Sequence, residues 1–175
     1  MACNQTLSGL MRDCNPSMGG ILEAYAAIYD DVASVGVSDG QVNAITMAGS
    51  AKFHKYVFKK GTGNFASTLN VDPANGVNYV STDILLQFNR MDTTKRVEMA
   101  ALAQSDLALI VKDGNGKYWY FGKDEPVTAS AGDGQTGTAR GDSNRYTITL
   151  QDNATTFPYE VKVGTGGVDL DTITA

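Results

Sequence analysis

Alternating hydrophobic and polar positions predict two long extended segments in the middle of the chain. Val77–Met91 is rich in Val, Tyr, Thr, Ile and Phe, the residue types enriched in strands. Ser50–Leu69 also alternates, apart from a flexible bend at Lys59–Gly63, and its first part carries lysines on both faces. That part is either a strand paired on both sides or an edge strand kept soluble by lysine. Between the two segments, Asp72–Gly76 has turn composition, with Pro followed by Asn-Gly.

A helix and a hairpin follow directly. Thr93–Ser105 is rich in helix formers, and Asp92 is placed to cap its first amides. Two apolar strands, Leu107–Lys112 and Lys117–Phe121, flank the tight turn Asp113–Gly116. The helix shows one apolar side with small alanines, which predicts close packing of that side on a sheet. That side consists of Val97, Ala100, Ala101 and Leu107.

The flanking segments are shorter. Ile21–Val32 fits a helical stripe and a strand alternation equally well, and the glycines before it favour a strand. Val32–Val37 and Val42–Met47 are expected to pair across an Asp39-Gly40 turn. Two more strands are predicted near the end, at Tyr146–Leu150 and Tyr159–Val163.

Three segments lack core material. Residues 1–20 are expected to form an irregular arm or a short helix. Residues 123–145, rich in Gly, Ser, Thr and Asp, are predicted to form one long surface loop. Residues 164–175 are expected to be a tail that extends from the body. The chain thus reads as a single β-rich domain over 21–163, of the α+β class, with an antiparallel sandwich or barrel flanked by one helix.

Composition restricts the function. A net charge of -5 argues against a nucleic-acid-binding groove, which needs a basic face. It is compatible with a surface along which DNA slides without sticking. No apolar run approaches the length of a membrane span, and the first residues lack the pattern of a secretory signal.

Cysteine and histidine give no metal site. Cys3 and Cys14 are compatible with a disulfide in an oxidising medium, but two reduced thiols are the simpler interpretation. His54 is the only histidine and is expected to be a structural or surface residue. We predict no catalytic, cofactor-binding or metal-ligating residue, and therefore no enzyme.

The remaining motifs have simpler readings. The loop that begins at Gly164 (GTGGV) has neither the helix nor the Lys-Ser/Thr pair of a phosphate loop. Arg140-Gly141-Asp142 occurs easily by chance in a loop of this composition. Paired carboxylates at Asp30-Asp31 and Asp124-Glu125 are expected on solvated surfaces. Trp119, between two tyrosines, could offer a sugar-stacking platform, but strand alternation predicts that neighbouring rings point to opposite faces.

The order of these elements resembles the tail tube proteins of tailed bacteriophages. The resemblance covers Ile21–Val163, and Asn75–Pro126 (NGVNYVSTDILLQFNRMDTTKRVEMAALAQSDLALIVKDGNGKYWYFGKDEP) and Thr136–Val161 (TGTARGDSNRYTITLQDNATTFPYEV) carry it most clearly. It implies a subunit that forms rings of six, which stack into a channel for the genome. It also implies assembly in the host bacterial cytoplasm, location in the virion tail and contacts with other tail proteins.

The resemblance also assigns roles to segments. It implies that Ala48–Leu69 and Val77–Met91 line the tube or join subunits, and that residues 1–20 and 123–145 reach neighbouring subunits. DNA would pass without specific binding, so the basic cluster is expected to face a neighbour's carboxylates or the exterior. That cluster is Lys52, Lys55, Lys59 and Lys60. The alternatives are a tail terminator, a head-completion or capsid-decorating protein, or a carbohydrate-binding adhesion module.

Overall fold

The structure is a computed structural model that describes residue 7 and residues 9–175. These residues form eleven strands, two α-helices and a 3₁₀ turn at Tyr29–Asp31. The strands are β1 Ile21–Ile28, β2 Val32–Ser38, β3 Gln41–Met47, β4 His54–Val57, β5 Gly63–Asp72, β6 Val77–Asn89, β7 Leu107–Asp113, β8 Tyr118–Phe121, β9 Thr128–Gln135, β10 Arg145–Ala154 and β11 Tyr159–Val161. The helices are α1 Thr93–Gln104 and α2 Leu170–Ile173.

The strands form two sheets that pack face to face. The larger sheet has the order β2-β3-β11-β8-β7-β1-β4, and the smaller has the order β5-β6-β10-β9. All strand pairs are antiparallel except β11 with β3, where Glu160 lies opposite Gln41. Neither sheet closes on itself, so the predicted β-rich α+β fold is confirmed in its sandwich form and not as a barrel.

Two hydrophobic cores lie on opposite faces of the larger sheet. The first lies between the sheets and includes Ala24, Leu109 and Phe121 from one sheet and Ile84, Leu86, Ile148 and Leu150 from the other. The second includes Tyr25, Ile110 and Tyr120, whose side chains point to the other face. Strand β7 is therefore buried on both faces, which explains its unbroken apolar run Leu107–Val111.

The local predictions for the centre of the chain are confirmed. Asp92 caps α1 by accepting a hydrogen bond from the Lys95 amide at 2.8 Å. In the β7–β8 turn, the Asp113 carboxylate accepts hydrogen bonds from the Asn115 and Lys117 amides at 2.8 and 2.9 Å.

The segment 21–32, which fitted both a helix and a strand, contains strand β1, followed by the 3₁₀ turn. Strands β2 and β3 pair as predicted.

The predicted long loop over 123–145 is wrong, because it contains strand β9. This strand pairs with β10 along most of its length, with Gly132 opposite Ile148 and Gln135 opposite Arg145. Its side chains are mostly exposed and small, so it has almost no hydrophobic signal. Backbone hydrogen bonds to the free edge of β10 hold it, and those do not depend on side-chain type.

The predicted extended tail over 164–175 is also wrong. A loop closed by a hydrogen bond of 3.1 Å from the Gly164 amide to the Val168 carbonyl oxygen brings Val168 beside Val163. Val168 and Leu170 are then buried in the second core. The Ala175 amide donates to the Phe53 carbonyl at 2.9 Å, so the end of the chain is paired beside β4. Burial of the second face of the larger sheet accounts for this packing.

The predicted packing face of α1 is wrong as well. Val97 is 55% exposed, and Ala100 and Ala101 are also exposed. Leu107, the fourth residue of that face, is buried, but it lies in β7 beyond the helix. The helix instead packs through Leu102, which is buried, and Met99, which is partly buried. Larger side chains bury more apolar area than alanines do, so they decide which side faces the core.

The predicted extended segment Ser50–Leu69 is interrupted at the bend that was expected over Lys59–Gly63. Strand β4 ends at Val57 and β5 begins at Gly63, and β4 is an edge strand. Neither helix among the described residues is long and apolar enough to cross a membrane.

Candidate functional site

The outward face of the smaller sheet is mostly polar where β6 pairs with β10. Residues opposite each other in an antiparallel pair share a face, so Ile84, Leu86, Ile148 and Leu150 point inward and their neighbours point outward. The outward set consists of small or polar residues with few exceptions. It includes Asn64, Ala66, Thr68, Asn70, Ser81, Asp83, Leu85, Gln87, Ala131, Asp133, Gln135, Thr147, Thr149, Gln151 and Asn153.

The charge on this face is negative. Asp83 and Asp133 are both exposed there. Strands β5, β6, β9 and β10 contain no lysine, and their single arginine, Arg145, donates to the Ser143 hydroxyl at 2.8 Å. The lysines of the chain lie on the larger sheet, on α1 and on the connecting loops. Arg145 itself lies on the outward face, opposite Gln135, so this face carries one guanidinium and no lysine.

Both edges of the smaller sheet are open in the described chain. Strand β5 has ten residues and β9 has eight, and each has a partner on one side only. Unpaired strand edges offer backbone donors and acceptors to another chain. This sheet can therefore extend by pairing with further strands.

The β5–β6 hairpin projects beyond the rest of the smaller sheet. The pairing of β6 with β10 ends at Val80, whereas its pairing with β5 continues to Val77. The projecting part exposes large apolar side chains on both faces. Leu69 is 48% exposed, Val71 57%, Val77 40% and Tyr79 41%. Clustered apolar exposure of this kind is typical of contact surfaces.

The lysines that the sequence groups together are not all free for a neighbour. The Lys55 ammonium lies 2.9 Å from a Glu23 carboxylate oxygen of the same chain. The Lys52 ammonium donates to the Thr174 carbonyl oxygen at 3.3 Å. Lys59 and Lys60 are exposed in the bend after β4. All four lie away from the polar sheet face.

The three neighbouring aromatic residues of β8 do not form a stacking platform for sugars. They are Tyr118, Trp119 and Tyr120. Trp119 packs toward the first core, with its ring 6.2 Å from that of Phe65, and its indole N–H donates to Asp113 Oδ2 at 3.0 Å. Tyr118 and Tyr120 pack toward the second core. The predicted alternation of faces is confirmed.

The acidic candidates are used locally. Asp124 accepts hydrogen bonds from both the amide and the hydroxyl of Thr155, and these bonds hold the pKa of its carboxyl below the usual value. Asp142 accepts from the Thr138 and Ala139 amides, so it stabilises its own loop. Asp30 and Asp31 lie in the 3₁₀ turn. Among residues 7 and 9–175, no group of three His, Cys, Asp or Glu side chains could hold a metal ion.

The remaining predicted residues are dispersed. His54 is exposed on β4, and Cys14 is exposed in the N-terminal segment. Cys3 lies outside the described residues, so the predicted state of the two thiols stays a prediction.

Asp152 has a buried carboxyl group, and its burial was not predicted from the sequence. It is 3% exposed and accepts a hydrogen bond from the Gly122 amide at 3.0 Å. Burial, with Asp124 and Glu125 nearby, raises the pKa of Asp152 to about 6. The available signal was its inward position on β10, two residues after Leu150.

Comparison with models of known protein families, with curated proteins and with solved structures found no match for this chain.

Proposed function

We propose that this chain is a virion structural protein, the tail tube subunit of a tailed bacteriophage, which assembles into stacked rings around a channel for the genome. The proposal rests on the polar outward face of the smaller sheet. Asp83 and Asp133 are exposed on this face, and the four strands of the sheet contain no lysine. A surface that lets DNA pass must not attract phosphate. We assign this face to the lumen.

The open edges of the same sheet supply a way to build the ring. An interface between β5 of one subunit and β9 of the next is head-to-tail, and such an interface repeated about an axis closes into a ring. It would place the polar faces of all subunits on one continuous inner surface. The lysines would then lie outside the channel.

The projecting β5–β6 hairpin supplies the contact between rings. Its exposed Leu69, Val71, Val77 and Tyr79 would be buried against the next ring in a stack. Burial of such side chains contributes about 1.5–3 kcal/mol each. The subunit therefore carries both a lateral and an axial contact surface.

Electron microscopy of the purified protein at high concentration, with light scattering for mass, tests this function. We expect open-ended rods of uniform width with a central channel. The double substitution Leu69→Lys and Val71→Lys should abolish the rods and leave separate rings. Val163→Lys, at a residue that is 41% exposed away from the hairpin, is the matched control and should leave the rods intact.

Other outcomes would assign other roles. Assembly of the wild-type protein that stops at one ring would identify a tail terminator or head-completion protein. A strict monomer at every concentration would contradict self-assembly and favour a capsid-decorating or adhesion protein.

A further inference from the structure

We infer that a groove between β4 and α1 receives the N-terminal arm of a second copy of this chain. The arm is defined here as the described residues 7 and 9–17, and the groove as the space lined by His54–Val57, Phe88, Thr94, Lys95, Glu98, Met99, Leu102 and Ala175. The inference rests on the self-association in the proposed function, but not on the stacking of rings into a tube.

The groove has the size and chemistry to hold an extended peptide segment. Its volume is about 490 Å³, and it is lined by the apolar side chains of Phe88, Met99 and Leu102. Tyr56 and Glu98 close one wall through a hydrogen bond between β4 and α1. A few polar groups around an apolar floor are typical of binding sites.

The backbone of β4 offers unpaired groups to an incoming segment. On the outer side of this edge, the Phe53 amide donates to the Ile173 carbonyl oxygen, and the Phe53 carbonyl oxygen accepts from the Ala175 amide. On the inner side, the Phe58 amide donates to the Leu22 carbonyl oxygen in β1. Because successive residues of a strand direct their backbone groups to alternate sides, those of Lys55 and Val57 point outward. Ile173 and Ala175 already pair with Phe53 on this side of β4. An incoming segment can therefore continue the same hydrogen-bond pattern along Lys55 and Val57.

The arm carries apolar side chains that its own subunit leaves in solvent. Leu7 is 96% exposed, Leu10 99% and Met11 95%. Burial in the groove would contribute about 1.5–3 kcal/mol for each side chain, opposed by the cost of ordering the segment. The next residue, Arg12, is opposite in charge to Glu98, which accepts a hydrogen bond from Tyr56. Asp13 is opposite in charge to Lys95, whose ammonium already lies 2.6 Å from Asp92.

The arm is attached on the opposite side of β1 from the groove of its own subunit. The Met18 amide donates to Asn115 Oδ1 at 2.7 Å, and the Gly114 amide donates to the Gly20 carbonyl at 2.9 Å. These contacts hold the base of the arm at the β7–β8 turn, and β7 flanks β1 on the side opposite β4. An extended arm of this length reaches about 35 Å from that point. A neighbouring subunit can supply the groove without breaking these contacts.

Thiol cross-linking between two differently tagged subunits tests the inference. Both are made in a Cys3→Ser, Cys14→Ser background, one with Leu10→Cys and the other with Thr94→Cys in the groove. A third subunit carries Thr156→Cys, an exposed threonine outside the groove, as the matched control. With a short bismaleimide, we expect at least tenfold more L10C–T94C product than L10C–T156C product. Equal yields in a self-associating sample would overturn the inference.

A second measurement avoids cysteine altogether. Leu10→Ser with Met11→Ser should weaken self-association at least tenfold in sedimentation, whereas Phe157→Ser, at another exposed apolar residue, should not. Unchanged association of L10S/M11S would also overturn the inference.

The outcomes separate the two proposals. Rods without the L10C–T94C product would refute arm docking and leave the tube function standing. The L10C–T94C product in particles that never stack would support arm docking and refute the tube. Monomers without the product would refute both.

Discussion

Tyr120 and Asp152 are polar residues in the interior of the protein, 2% and 3% exposed. The Tyr120 hydroxyl has no hydrogen-bond partner among the described residues. Asp152 has one hydrogen-bond partner within the same part of the chain, the Gly122 amide. Buried polar atoms with few partners reduce stability, because water satisfied them in the unfolded chain. Both residues therefore lend themselves to stabilising substitutions.

Tyr120→Phe should raise the free energy of unfolding by about 1 kcal/mol, because it removes a buried hydroxyl without leaving a cavity. Tyr56→Phe is the matched control and should lower it by about 1 kcal/mol, since the Tyr56 hydroxyl donates to Glu98. Urea denaturation measures both. If Tyr120→Phe lowers the free energy of unfolding as much as Tyr56→Phe does, the Tyr120 hydroxyl must be hydrogen-bonded in the folded protein.

Asp152→Asn should stabilise the protein more at pH 7 than at pH 4. The pKa of Asp152 in the folded protein is raised to about 6, above its unfolded value of about 3.9. Between these values the unfolded chain releases the proton and the folded chain keeps it. The contribution of Asp152 to stability therefore falls as pH rises through this window, by at most about 3 kcal/mol.

The measurement is the difference in unfolding free energy between Asp152→Asn and wild type, taken at several pH values. Asp133→Asn, on the exposed sheet face, controls for the loss of one acidic group. A difference for Asp152→Asn that does not change between pH 4 and pH 7 would contradict a raised pKa.

At the scale of elements, the end of β8 depends on a glycine. Gly122 has a φ of +86°, and a Cβ there would lie 3.0 Å from the Leu107 carbonyl oxygen and 3.2 Å from Ala108 Cα. Both neighbours are backbone atoms in a buried strand. This position combines a left-handed conformation with close backbone packing, so glycine satisfies two requirements at once.

Gly122→Ala should lower the free energy of unfolding by about 3 kcal/mol, from conformational strain and overpacking together. Gly61→Ala is the matched control, since its φ is +78° but nothing lies within 4 Å of the added Cβ. It should cost about 1–2 kcal/mol, from strain alone. Thermal or urea unfolding gives both values, and equal losses would show that the backbone yields at Gly122.

At the scale of the whole molecule, the two ends of the chain differ in what they do. The C-terminal segment covers the second core through Val168 and Leu170. The arm at the N-terminal end exposes Leu10 and Met11 almost fully. One end therefore completes the fold, and in our proposal the other completes the assembly.

Deletion of residues 164–175 should lower the free energy of unfolding by at least about 4 kcal/mol, because two buried apolar side chains and the pairing with Phe53 are lost. Deletion of residues 1–17 should change it by less than about 1 kcal/mol, since the described part of the arm is exposed. Differential scanning calorimetry at low protein concentration compares the two. A tail deletion as stable as wild type would contradict the role of the second core.

Much of the fold was predictable where short-range rules apply. The cap at Asp92, the turn at Asp113–Gly116 and the β-branched run of β6 depend on residues close together in sequence, and all three are confirmed. The apolar face of α1 was not predictable, because the helix contacts β9 and β10, which lie further along the chain and are not neighbours of the helix in sequence. The acidic overall charge was visible in the sequence, but the absence of lysine from the outward face of the smaller sheet became visible only when the strands were assigned to two sheets.

Local patterns in the sequence were enough to establish the β-rich class, the central helix and the tight turns, because hydrophobic alternation, capping and turn chemistry depend on nearby residues. Long-range packing was needed to establish that β9 is a strand, that residues 164–175 pack on the body and that Asp152 is buried. A weakly patterned segment becomes a strand when another strand offers an open edge, and a tail packs when an uncovered apolar face lies within reach. Those partners are far away in sequence, so no local pattern encodes them.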